Sequence, residues 1–107
     1  MTADILTRVR EAAAKLVLFL PHAVHQMARP DRVITPTEVR AVVLKGEVIE
    51  DYPEDTRGHS CLLLGHGHEQ RSIHVVCSPE DEYLAIITAY LPSDKEWQPD
   101  QRTRKPK

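Results

Sequence analysis

Three apolar runs in the second half of the chain, Ser60–Gly65, Ser72–Cys77 and Tyr83–Leu91, are separated only by short polar stretches. Short runs rich in Val, Ile and Leu and bounded by Gly, Pro or charged clusters read as strands. Such short loops have no room for a parallel crossover, so the three runs pair as an antiparallel meander. The middle run is short and rich in β-branched residues and reads as buried on both faces. His74 stands at its centre, where Val or Ile would be cheaper to bury.

Upstream, Glu47–Tyr52 alternates Val48, Glu50 and Tyr52 against Glu47, Ile49 and Asp51, the pattern of a half-exposed or edge strand. Regular hairpins would set His74 beside Leu64 on one side and Ile86 on the other. Glu50, Tyr52, Leu62, Thr88 and Tyr90 would then share its face. Thr35-Pro36-Thr37-Glu38 carries the chemistry of a helix start: Thr35 as N-cap, Pro36 in the first turn and Glu38 closing a capping box. Val39, Val42 and Val43 supply its buried stripe, and Gly46 is expected to end it in left-handed geometry. A shorter helix is expected from His22 to Ala28, just after Pro21.

Residues 3–20 carry two conflicting signals. Ile5, Val9, Ala12, Leu16 and Leu20 recur at helical spacing, yet Leu16-Val17-Leu18-Phe19-Leu20 is apolar on every side. The expected resolution is a helix over 3–13 followed by an extended segment over 16–20. The fold class is therefore α+β: N-terminal helices packed on a four-stranded antiparallel sheet, a single domain over 1–97. Residues 98–107 lack apolar groups and hold four basic residues, so they are expected to form a flexible basic tail. The turn Gly65–Gln70 is assigned to its two glycines, which allow positive φ.

The formal net charge of −2 over 107 residues argues against a domain that traps nucleic acid by its overall field. No apolar segment approaches the length of a membrane span, and the first residues lack the layout of a signal peptide. With two cysteines, Cys61 and Cys77, these features predict a cytoplasmic chain with free thiols.

An ordered series of short motifs carries a resemblance. It runs through His22-Ala23 with Met27, Arg32-Val33-Ile34-Thr35, Glu38-Val39 and Gly46-Glu47-Val48-Ile49-Glu50-Asp51-Tyr52-Pro53. It continues through Ser60-Cys61-Leu62-Leu63-Leu64-Gly65, His74-Val75-Val76 and Ile86-Ile87-Thr88-Ala89-Tyr90-Leu91-Pro92 with Trp97. From about residue 16 to Trp97 the chain resembles the bacterial domain-of-unknown-function family four-two-five-eight, itself similar to RelE- and MqsR-type toxins. The resemblance implies a RelE-like fold and a toxin–antitoxin-type endoribonuclease. RNA or the ribosome is then the implied target, and a zinc-finger antitoxin the implied protein partner. One position departs from the family: Gln26 stands where an arginine is usual, and glutamine cannot replace a guanidinium at a phosphate.

Metal-independent RNA cleavage needs a base, an acid and a cation at the phosphate. His22 and His74 are the candidates for proton transfer, since histidine titrates near neutrality. Tyr90 is a candidate to position or donate. Arg29 and Arg32 are the phosphate candidates. Glu50 and Tyr52 would face the substrate, with a carboxylate able to tune His74. Each residue also has a plain structural reading: His74 as a hydrogen-bonded core residue, His22 as a helix start, Glu50-Asp51 as a solvated strand edge. On that reading the chain is a catalytically silent protein-binding module of the same fold. His59, His66 and His68 lie near Cys61, but their spacing fits no standard zinc motif, so no metal and no cofactor is expected. Cys61 and Cys77 are expected to face each other across the hairpin as small buried hydrophobes.

Overall fold

The computed structural model describes residues 4–106. Helix α1 (Ile5–Lys15) starts at Asp4, whose side chain accepts from the Thr7 amide, and buries Ile5, Val9 and Ala12. It stops because Leu16 turns extended, with φ −165° and ψ 139°. The expected extended segment follows as strand β1 (Val17–Phe19). Pro21 then occupies the first turn of α2 (Pro21–Met27), where a missing amide costs nothing. The capping box forms as expected at the start of α3 (Pro36–Lys45): Glu38 N donates to Thr35 Oγ1, and Thr35 N donates to the Glu38 carboxylate. Strands β2 (Glu47–Tyr52), β3 (Ser60–His66), β4 (Ser72–Pro79) and β5 (Leu84–Tyr90) complete the series.

The sheet has five strands in the order β1-β5-β4-β3-β2, and it is mixed. The expectation of four antiparallel strands holds for β2 to β5 and misses the edge. There β1 pairs parallel with β5, setting Val17 against Leu84 and Phe19 against Ile86. Short loops dictate the meander locally. The β1 pairing spans the whole chain between Phe19 and Leu84, and no local signal reports it.

Helices α1, α2 and α3 cover one face. Val9, Ala12, Ala23, Met27, Val39, Val42 and Val43 pack there against Leu63, Ile73, Val75, Cys77, Leu84, Ile86 and Ala89. Burying this cluster, at roughly 25 cal/mol per Å² of apolar surface, is the main favourable term in folding. Cys61 and Cys77 are register partners, free and fully buried. The Cys61 hydrogen bond and burial both push the Cys77 thiol well above its ordinary range, so it stays protonated.

Two glycine assignments need correction. Gly46 has φ −77° and ψ −179°, which is extended and not left-handed. A Cβ there would lie 2.5 Å from the Val42 carbonyl oxygen and 2.6 Å from that of Leu64. Both neighbours are backbone, so glycine is required by close approach. Similarly, the β3–β4 turn takes its positive φ at Glu69 (56°) and Gln70 (61°) and not at its glycines. Gly65 instead lets α3 close on the sheet, since a Cβ there would meet the Cα of Val42 at 2.9 Å.

Of the expected basic tail over 98–107, residues 98–106 fold back toward the sheet, and residue 107 lies outside the described residues. Trp97 and Arg104 form a β-bridge. Asp100 closes the loop between them, accepting from the amides of Arg102 and Thr103 at 3.0 Å and from the Thr103 hydroxyl at 2.8 Å. This segment lies over the second face of the sheet.

Candidate functional site

The face opposite the helices is where the chemistry-bearing residues gather. Side chains alternate along strands, so Leu62, Leu64, His74, Thr88 and Tyr90 point away from the helical core. Leu64 stands opposite His74, as expected, but His74's partner on β5 is Tyr90 and not Ile86. Strand β4 runs on through Ser78 and Pro79, which moves the hairpin turn to residues 80–83 and shifts the register. An irregularity between Val76 and Cys77 adjusts it again. Ile87 is the extra residue there, so Ile86 pairs with Cys77 in the helical core, contrary to expectation, while Thr88 and Tyr90 share the face of His74 as expected.

His74 is fully buried, and both ring nitrogens are engaged. Nε2 donates to the Gln101 carbonyl at 2.6 Å, which leaves Nδ1 as an acceptor, 3.3 Å from the Tyr90 hydroxyl. The Trp97 ring stands edge-on to the imidazole at 4.5 Å, and Tyr90 does so at 5.3 Å. Burial pulls the His74 pKa down, more strongly than the Gln101 bond and nearby Glu50 push it up. The ring is neutral at pH 7.

Beside this pair lies a charged group. Arg104 grips the Glu50 carboxylate with Nε at 2.8 Å and Nη2 at 3.0 Å. The same guanidinium stacks over Trp97 at 4.5 Å. The Tyr52 hydroxyl donates to Glu50. Bonding to Arg104 holds the Glu50 carboxyl below its usual range. Burial and the Glu50 bond push Tyr52 up to about 12, and burial does the same for Tyr90. Both phenols stay protonated at neutral pH. The Glu50 side chain is 22% exposed and that of Arg104 53%, so this end of the site opens to solvent while His74 does not.

Of the residues singled out from the sequence, His74, Tyr90, Glu50 and Tyr52 come together. His22, Arg29 and Arg32 do not join them. His22 is exposed in the first turn of α2, a helix whose buried residues belong to the core on the other face. Arg29 and Arg32 both pair with Asp31. The cation that sits with the carboxylate and the tyrosines is Arg104, from the segment expected as a basic tail. A Trp followed by alternating basic residues was the available signal, but nothing in the sequence fixed the bridge that brings Arg104 beside Trp97.

His59 is used otherwise: its Nε2 donates to Asp51 at 2.6 Å, and its Nδ1 accepts from Arg8 at 3.0 Å. His66 and His68 are exposed. Among the described residues, no three His, Cys, Asp or Glu side chains are grouped so that they could hold a metal ion. Among the described residues, no helix is long and apolar enough to cross a membrane.

No curated protein and no solved structure matches the chain. A family model does match, over residues 19–91, from the end of β1 to just past β5. It takes in His74, Tyr90, Glu50 and Tyr52 and stops short of Trp97 and Arg104. On that match the chain belongs to the family described as Domain of unknown function (DUF4258).

Proposed function

We propose that the chain is a metal-independent endoribonuclease of the RelE and MqsR toxin type, acting on RNA in the bacterial cytoplasm and neutralised by a zinc-finger antitoxin. One observation carries this reading: a carboxylate, two protonated tyrosines, a neutral histidine and an arginine converge on one sheet face. A site meant only to bind an apolar partner has no use for that set. In the proposed reaction Glu50 takes the proton of a ribose 2′-hydroxyl, and the 2′-oxygen attacks the adjacent phosphorus. Arg104 exchanges the carboxylate for the phosphate and stabilises its developing charge. The bond from phosphorus to the 5′-oxygen breaks, and Tyr90, aligned by His74, gives that oxygen its proton. The products carry a 2′,3′-cyclic phosphate and a 5′-hydroxyl. His22, Arg29 and Arg32 take no part.

The test is cleavage of free and ribosome-bound RNA by purified protein, with end-group analysis. Glu50→Gln and Arg104→Ala should each lower the rate by about a hundredfold or more, as loss of a proton-transfer group or a charge stabiliser does. Wild-type protein that neither cleaves RNA nor inhibits growth would remove the reading. One observation favours a second: both nitrogens of His74 are already satisfied, as in a structural histidine. The chain is then a catalytically silent member of the same fold that acts by binding protein.

A further inference from the structure

The exposed apolar side chains of this protein are not scattered. Among the described residues the exposed large hydrophobics are Leu16, Leu18, Val24, Val33 and Leu44. Leu16 and Leu18 belong to β1 and its start. Val24 and Val33 line a groove of about 380 Å³ that Phe19 of β1 helps to form. Leu44 lines a second groove, of about 140 Å³, shared with Val17 of β1. All five therefore border one edge of the sheet.

That edge is also open along its backbone. Among the described residues, strand β1 is terminal in the sheet and pairs only with β5. Leu16 O accepts from Leu84 N at 2.8 Å, and Leu20 N donates to Ile86 O at 3.0 Å. Bonding residues alternate along a strand, so Val17 and Phe19 turn their N–H and C=O groups outward. Proteins usually blunt such an edge with charge, proline or a covering segment. Here it is flanked by apolar grooves, and contiguous exposed apolar surface of this kind marks an interaction site.

Charge decides between occupants. Arg40 lines the second groove, with its guanidinium 5.7 Å from the centre of the Phe19 ring that lines the first, and it pairs with no carboxylate among the described residues. Arg10 lines the second groove beside it and spends its donors on the carbonyls of Val43 and Gly46. Two copies meeting edge to edge would bring these cations together. A segment carrying carboxylates would neutralise them.

We propose that the β1 edge docks an extended segment of a partner protein that adds a strand to the sheet. The segment places apolar side chains at alternate positions in the two grooves and an Asp or Glu against Arg40. Main-chain bonds to Val17 and Phe19 supply register, and the grooves supply specificity. The inference is independent of the catalytic reading, because the edge and the His74 face are separate surfaces.

The test is selection of binders to the full chain from a displayed random-peptide library, followed by two variants. Val17→Pro removes an outward N–H without touching a bond to β5, a substitution that edge strands accept. Arg40→Glu reverses the charge at an exposed position and guards against loss of fold in the first variant. Selected peptides should alternate apolar residues with Asp or Glu. Each variant should weaken binding by about tenfold or more, which is about 1.4 kcal/mol. Arg40→Glu should also turn preference toward lysine-bearing versions of the same peptides. No binders, basic binders, or binders indifferent to both variants would overturn the proposal. So would wild-type protein that sediments as a dimer and becomes monomeric on Val17→Pro, since the occupant would then be a second copy.

Discussion

Nε2 of His74 lies 2.6 Å from the carbonyl oxygen of Gln101 and donates to it. Gln101 holds a positive φ of 62°, the conformation that aims this carbonyl down at the sheet. One bond thus joins the centre of β4 to a segment whose composition alone looks unstructured.

Deleting residues 98–107 should therefore destabilise the protein. His74 would lose its acceptor, and Glu50 would lose Arg104. An unsatisfied buried donor costs about 1–3 kcal/mol. Urea unfolding of the truncated chain measures this. An unchanged midpoint would mean that the segment does not hold His74 in solution.

His74 also predicts a pH effect. Its folded pKa lies below the ordinary 6.5, chiefly through burial. The unfolded chain then takes up a proton that the folded one resists. This contribution to stability is complete above about pH 6.5 and is lost as pH falls from there through the folded value. His74→Leu should lower stability at pH 7.5 by about 1–3 kcal/mol, because the Gln101 carbonyl and Tyr90 hydroxyl lose their partner. It should also remove this part of the acid slope. Melting curves at a series of pH values report both effects.

Glu38 acts at lower pH. It is 8% exposed and pairs with Arg71, whose Nη2 lies 2.9 Å away. Burial would raise its pKa, but bonds from Arg71 and from the amides of His68 and Thr35 outweigh that and hold it at about 2, against 4.5 for a free side chain. The stabilisation is present above about pH 4.5 and is lost as pH falls through 2, on the order of 3 kcal/mol in all. Glu38→Gln should flatten the stability profile across that window. A slope that persists in the variant would assign it to other carboxyls.

Gly46→Ala should cost about 1–3 kcal/mol, as overpacking against rigid neighbours does. Gly46→Asn separates the two reasons for a glycine. Asparagine is tolerated where left-handed backbone is the demand, but it carries the same Cβ. Thermal melts should show Asn at least as damaging as Ala.

The sequence by itself determined the local units. Proline and threonine at 35–36 with Glu38 set the start of α3, because capping is settled within one turn. Short loops set the antiparallel meander of β2 to β5. The apolar run at 16–20 marked an extended segment, and period-two alternation put Glu50 with Tyr52 on one face of β2 and Thr88 with Tyr90 on one face of β5. What the tertiary structure decided was every relation between units far apart in the chain. It joined β1 to β5 in parallel and moved Tyr90 into register with His74. It required Gly46 for the approach of two carbonyls and folded Trp97–Arg104 over the sheet. Such pairings depend on packing among residues tens of positions apart, and no spacing within one segment records them.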